Sequence, residues 1–241
     1  MGKRIIPQRR GRGTTTYRSP SHRFKGKISY RPYDEKEKNS SVPGKIIDLI
    51  HCPGHSAPLV KIKFETGEEI LLAAPMGAFT NKEVYSGINA PVENGNILPL
   101  KNIPIGTSIY NIEGNPGDGG KYIRSSGSSA KIVGKLENKI TIQFPSKKEK
   151  TFSELCRATI GIVSGSGRLE KPFGKAGKRF YAMKARNRLY PLTSGVSMNA
   201  VDHPFGSGRG KHIGKPKTVG KFAPPGRKVG LIRARRTGIR K

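Results

Sequence analysis

The sequence predicts a mainly β protein: two small barrels in series between long basic extensions, with one short helix in the C-terminal part. Three observations carry this. Short alternating apolar runs, separated by Gly-, Pro- and Asn-containing turns, fill the middle of the chain and fade outside it. Charge is divided the same way: residues 1–33 hold ten Lys/Arg and no acid, residues 34–164 hold sixteen basic and fourteen acidic residues, and residues 165–241 hold twenty basic and two acidic. The middle is therefore nearly neutral, and the ends carry almost all of the net charge of +30. Finally, only 34% of residues are hydrophobic, tryptophan is absent, and 31 glycines and 18 prolines leave material for only a modest core.

The first 33 residues interleave Arg9, Arg10, Arg12, Arg18 and Arg23 with glycine, Tyr17, Phe24 and Tyr30. Guanidinium forks clamp phosphates and aromatic rings stack on unpaired bases, so this segment is expected to be an extension ordered by nucleic acid. From residue 34 the composition changes. Strands are expected at 44–52, 58–64 and 69–75, and their spacing suggests an OB-fold over residues 34–90. A second set follows the Asn94-Gly95 turn, at 96–100, 107–112, 130–136, 139–144 and 158–163. Five short strands with glycine-rich loops fit an SH3-like barrel over residues 91–164. Between two of them the run GNPGDGGKYIRSSGSS is too glycine-rich for a core; it reads equally as a flexible hairpin tip or as a backbone-rich RNA contact with Lys121 and Arg124 as phosphate donors. Residues 165–241 form the second basic extension. Its one helix is expected at 175–188, where Ala176, Phe180 and Met183 share a face and Lys178, Arg179, Arg186 and Arg188 crowd the others.

Long single-sign segments repel themselves until a polyanion neutralises them, and nucleic acid is the natural polyanion. An anionic membrane fits poorly, because the ends lack an amphipathic helix with an insertable face, and neither a membrane span nor a signal-peptide core is present. Two cysteines are too few for a disulfide framework and point to reduced thiols in an intracellular protein. His51, Cys52 and His55 have the look of metal ligands but lack a second ligand pair. Asp202-His203 invites an acid–base reading, yet adjacent residues of an extended chain point apart and no nucleophile motif accompanies them. No catalytic residue, metal or cofactor is assigned. The alternative from another class is a metal-dependent RNA-processing enzyme built on His51, Cys52, His55 and His203.

Four separated motifs, RRGRGT, GDGGKYIRSSGSSA, CRATIGIV and SMNAVDHPFGSG, resemble in the same order the ribosomal protein L-two family, the universal second protein of the large ribosomal subunit, in its archaeal-type form. Cys52 departs from that pattern, standing where the family's His-Asp-Pro turn has Asp. The resemblance implies an OB-fold followed by an SH3-like barrel and extensions that thread into large-subunit rRNA. It implies a cytoplasmic, structural component of the ribosome that touches rRNA and other large-subunit proteins. It also implies roles in a small-subunit contact at an intersubunit bridge, in tRNA binding and in support of the peptidyl-transferase centre. The MNxVDHP segment, here Met198, Asn199, Val201, Asp202, His203 and Pro204, would approach that centre, with His203 held by Asp202 and Pro204 in a structural part rather than in proton transfer. Arg157 in CRATIGIV, and Arg209 and Lys211 beyond the MNxVDHP segment, complete the expected rRNA contacts.

Overall fold

The computed structural model describes residues 2–208, 212–232 and 234. The chain divides into two compact units, one made of Ser21–Pro172 and one of Met1–Pro20 with Phe173–Lys241.

The first unit is mainly β, as expected. Its strands are β1 (Ser41–Ile50), β2 (Leu59–Phe64), β3 (Glu69–Ala73), β4 (Glu83–Gly87), β5 (Ile97–Pro99), β6 (Ser108–Tyr110), β7 (Ala130–Leu136), β8 (Lys139–Gln143), β9 (Glu149–Ser153) and β10 (Arg157–Ile160). They form one continuous sheet in the order β3-β2-β1-β4-β5-β10-β6-β7-β8-β9. Pairing is antiparallel except between β4 and β5, which meet in parallel at Ser86 and Ile97. β2 shows why alternation locates strands: Val60, Ile62 and Phe64 are buried, while Lys61 and Lys63 keep their charges toward solvent. β1 begins earlier than expected, and a bulge between Ile46 and Asp48 shifts its register, after which Ile47 and Leu49 lie exposed. β4 and β9 were not anticipated from the sequence.

The sheet wraps two apolar cores that share strands. Ile97 of β5 and Tyr110 of β6 pack into the first core with Ile46, Leu59, Ile62 and Phe64, whereas the neighbouring residues Leu98 and Ile109 face the second, with Leu100, Ile132, Ile142 and Phe152. Adjacent residues of one strand point to opposite faces, so β5 and β6 belong to both cores. The two halves follow one another along the chain and are joined through these common strands.

The core also begins before residue 34. Ile28, Tyr30 and Arg31 are all buried. Ser29 N–H donates to the Leu71 carbonyl of β3 and Tyr30 N–H to that of Gly119. This strap corrects the expectation that residues 1–33 form a tail throughout. It leads into helix α2 (Glu35–Asn39), counting the six-residue α1 (Ile6–Gly11) as the first helix, and Asp34 caps α2 by accepting from Glu37 N–H at 3.1 Å.

The second unit contains α1 and α3 (Ala176–Lys184), from its N-terminal and C-terminal segments respectively, among 3-10 turns and extended chain. α3 is shorter than the expected 175–188 and buries no residue; Phe180 is half exposed and Tyr181 more so. Without a packed face, nine residues give a marginal helix in water.

Candidate nucleic-acid interface

On the first unit, the glycine-rich segment after β6 is an ordered structure arranged by two carboxylates. Glu113, fully buried, accepts from Gly117 N–H at 3.3 Å and Gly119 N–H at 3.1 Å. Asp118 accepts from Gly114, Asn115 and Gly120 N–H at 2.9, 3.0 and 3.1 Å. Burial alone would raise the Asp118 pKa; these amides and the Lys121 ammonium at 3.1 Å outweigh it and hold the carboxylate below its ordinary value. Gly120 sits at φ +89°, where a methyl group would come within 2.5 Å of Asn111 Oδ1, so backbone must approach backbone closely here. The flexible-tip reading of this segment therefore gives way to a pre-ordered loop.

That loop displays the predicted cations. Lys121 is exposed. Arg124 is half-buried, with Nη1 donating to the Gly120 carbonyl at 3.1 Å, and burial lowers its pKa. Between them Ile123, a β-branched residue at φ +54°, holds a conformation such residues rarely adopt. Beside it the Lys150 ammonium donates to Tyr122 Oη at 2.6 Å and lies 4.5 Å from the centre of the Tyr122 ring, which packs edge-on against Phe144 and Phe152. Lys150 was not singled out from the sequence, because it sits in the unanticipated β9.

Arg157 is a correction. It is 1% exposed, and its guanidinium donates to Glu113 Oε1 from Nε at 3.2 Å and Nη2 at 2.8 Å, and to Glu37 Oε2 at 2.6 Å. Arg31, equally buried, meets Glu37 at 3.2 Å, Asp34 at 2.6 Å and Glu68 at 2.8 Å. The hydrogen bonds from Arg31 pull Asp34 down to about 2. A buried guanidinium satisfied by carboxylates has no face left for phosphate, so Arg157 organises the loop from beneath instead of binding RNA.

In the second unit, Arg10, Arg12, Arg18, Lys178, Arg179 and Arg188 are exposed, while Arg9 and Arg186 are half-buried. Arg10 Nη2 donates to the Asn187 carbonyl at 3.1 Å and Arg179 lies 5.1 Å from the Tyr190 ring, so the N-terminal helix and α3 segments meet within this unit. Arg23 is exposed on the first unit. Arg209 and Lys211 lie outside the described residues.

The Met198–Pro204 segment is a tight turn. Asn199 carbonyl oxygen accepts from Asp202 N–H at 2.9 Å and His203 N–H at 3.2 Å, and Lys3 N–H donates to Val201 at 2.8 Å. Met198 is half-buried and Asn199 exposed. His203 Nδ1 accepts from Phe205 N–H at 3.0 Å, and the ring lies against Gly195, where any side chain would collide with it. Partial burial lowers the His203 pKa. An accepting Nδ1 makes the ring neutral with its proton on Nε2. Among the described residues no hydrogen bond joins the ring to Asp202, whose carboxylate instead faces Lys3 Nζ at 3.8 Å. The expectation that Asp202 holds the ring is replaced: Phe205 and Gly195 hold it, and no acid–base dyad forms among the described residues.

His55 Nδ1 lies 3.2 Å from Cys52 Sγ, which also receives Lys25 N–H at 3.5 Å. Among the described residues no group of three His, Cys, Asp or Glu side chains is placed to hold a metal. Cys52 and Cys156 are free buried thiols, and burial pushes Cys156 up to about 11. Among the described residues no helix is long and apolar enough to cross a membrane.

A β body of mixed charge with a pre-ordered cationic loop, together with a second unit in which 24 Lys/Arg face a single acid, Asp202, defines a nucleic-acid-binding class of protein. Comparison with known proteins narrows the class. The family profile described as Ribosomal Proteins L2, RNA binding N-terminal domain, matches residues 3–86, and that described as Ribosomal Proteins L2, C-terminal domain, matches residues 93–222. The chain belongs to the ribosomal protein L2 family. It is 55% identical over 241 residues to the large ribosomal subunit protein uL2 of Methanothermobacter thermautotrophicus, 53% identical over 241 residues to that of Methanosphaera stadtmanae, and 53% identical over 242 residues to that of Methanocaldococcus jannaschii; each comparison spans the whole of both chains.

Proposed function

We propose that the protein is a structural constituent of the large ribosomal subunit, acting in the cytoplasm as an rRNA-binding component and not as an enzyme. The observation that carries this reading is the ordered loop at residues 114–128, in which buried Glu113 and Asp118 fix glycine backbone so that Lys121 and Arg124 are presented without further ordering cost. Among the described residues the Asp202 carboxylate faces Lys3 and not His203, so the acid–base pair that the RNA-processing alternative would use is not assembled there.

In this role the second unit lies along rRNA phosphates, beside other large-subunit proteins. The Met198–Pro204 turn presents His203 Nε2–H as a fixed donor near the peptidyl-transferase centre, with tRNA and an intersubunit bridge in reach. Support for this finer placement comes from the MNxVDHP motif and the preset tautomer. Binding of the purified protein to large-subunit rRNA should weaken on the order of a thousandfold between about 50 and 200 mM salt. Affinity insensitive to salt, or loss of the protein from large subunits in a high-salt wash, would count against an integral rRNA-binding role.

A further inference from the structure

Beyond its exposed cations, the second unit contains a concavity of about 570 Å³, within the range of sites that hold small molecules. Phe205, Pro216, Val219 and Phe222 supply apolar walls; Lys215, Lys221 and Arg227 lie among them. Backbone turns build the frame. Ala223 N–H bonds to Gly220, Arg227 and Lys228 N–H both bond to Pro224, and Leu231 N–H bonds to Lys217. Lys215 Nζ donates to the Pro204 carbonyl at 3.1 Å, tying the turn after His203 to the opposite wall. One member is out of place for a folded protein: Phe222 is 91% exposed, the most exposed large apolar residue among those described. An exposed phenyl ring at the edge of an apolar recess gives that recess a flat face open to a ligand.

The charges select the occupant. No acidic residue lines the recess, and the unit as a whole holds one acid. The occupant must combine negative charge with a flat apolar face. We propose that this recess receives a single unpaired RNA nucleotide, its base stacked on Phe222 with Lys221 and Arg227 at its phosphates. This rests on the rRNA-binding reading above and adds to it a site that distinguishes an extruded base from paired RNA. Lys221 Nζ already lies 5.4 Å from the Phe222 ring centre, where cation, ring and base would stack together.

The test uses the full chain and two blunt RNA duplexes, identical except that one carries a single bulged 5-iodouridine. The bulged duplex should bind about tenfold more tightly, in keeping with the 1–3 kcal/mol of one base–aromatic stack. Light should couple it to Phe222 or Phe205. Phe222→Ala, at a side chain that supports no core, should abolish the preference and leave affinity for the plain duplex unchanged. Equal affinity for the two duplexes, adducts confined to other aromatics such as Tyr17 and Phe24, or a Phe222→Ala loss shared by both duplexes would each overturn the site. So would cross-links from Lys215 and Lys221 to a neighbouring protein in the assembled subunit. Failure to bind either duplex at low salt would strike the rRNA-binding reading itself.

Discussion

His203 and Arg157 show how far a residue's chemistry depends on partners that local sequence does not reveal. His203 is a neutral ring because Phe205 N–H occupies Nδ1 and partial burial disfavours the charged form. Its pKa in the ordered turn lies below that of a free imidazole, so the disordered segment takes up a proton first. Ordering is therefore fully favoured above about pH 6.5 and weakens as pH falls through the lower, folded value. Ring ¹⁵N shifts should show the Nε2–H tautomer at pH 7.5 and a midpoint below that of free histidine; a midpoint at or above it would dismiss the locked ring. Substituting His203→Ala should leave the β body folded while impairing particle assembly or activity, and fully active alanine particles would show the donor to be dispensable. Arg157 makes the opposite point. In CRATIGIV it looked like one more phosphate contact, but its partners are Glu113, 44 residues away, and Glu37, 120 residues away. Arg157→Ala would leave buried Glu113 without a cationic partner and Glu37 with Arg31 alone, and should cost about 3–5 kcal/mol in urea unfolding. A cost below about 1 kcal/mol would mean that the pocket admits water and the network is not a foundation for the loop.

At the scale of elements, what alternation can register was legible and what it cannot was missed. β2, β7 and β8 fell where Val60, Ile62, Ile132, Ile140 and Ile142 alternate with polar residues. β9 buries only Phe152 and β4 only Val84 among large apolar side chains, so neither carries a period that sequence can show; sheet neighbours specify them. The loop at 114–128 was recognised by composition, but not as an ordered object, because Glu113 and Asp118 act through backbone amides. Two substitutions separate its order from its charge. Gly120→Ala forces a side chain against Asn111 at positive φ, and should lower both stability, by about 1 kcal/mol or more, and RNA affinity. Lys121→Ala, which removes a largely exposed ion pair with Asp118, should cost at most about 1 kcal/mol in unfolding and make the dependence of log K on log salt shallower by about 0.7–0.9, the value of one phosphate contact. An unchanged slope would remove Lys121 from the interface.

For the whole molecule, the charge division read from the sequence survives, but its boundaries move to follow the fold. Residues 21–172 hold 22 Lys/Arg against 15 Asp/Glu, and the other 89 residues hold 24 against one. The frontier at residue 34 was drawn where acids first appear, which assigned the strap to the tail. Yet Ile28 and Tyr30 pack in the first core, the Tyr30 hydroxyl donates to the Asn111 carbonyl at 2.7 Å, and Arg31 neutralises Glu37 in the interior. Two fragments therefore have different fates although both discard the extensions. Residues 21–172 keep the strap and should unfold cooperatively, binding rRNA with a shallower salt slope because most cations are gone. Residues 34–172 lose two buried apolar side chains, worth about 1.5–3 kcal/mol each, and leave Glu37 with half its cationic partners. That deficit is comparable to the entire stability of an ordinary domain, about 5–15 kcal/mol, so the shorter fragment should be unfolded or lack fixed side-chain packing. Urea unfolding followed by near-ultraviolet circular dichroism decides the matter: equal midpoints for the two fragments would return the strap to the tail and place the foundation of the β body wholly within its strands.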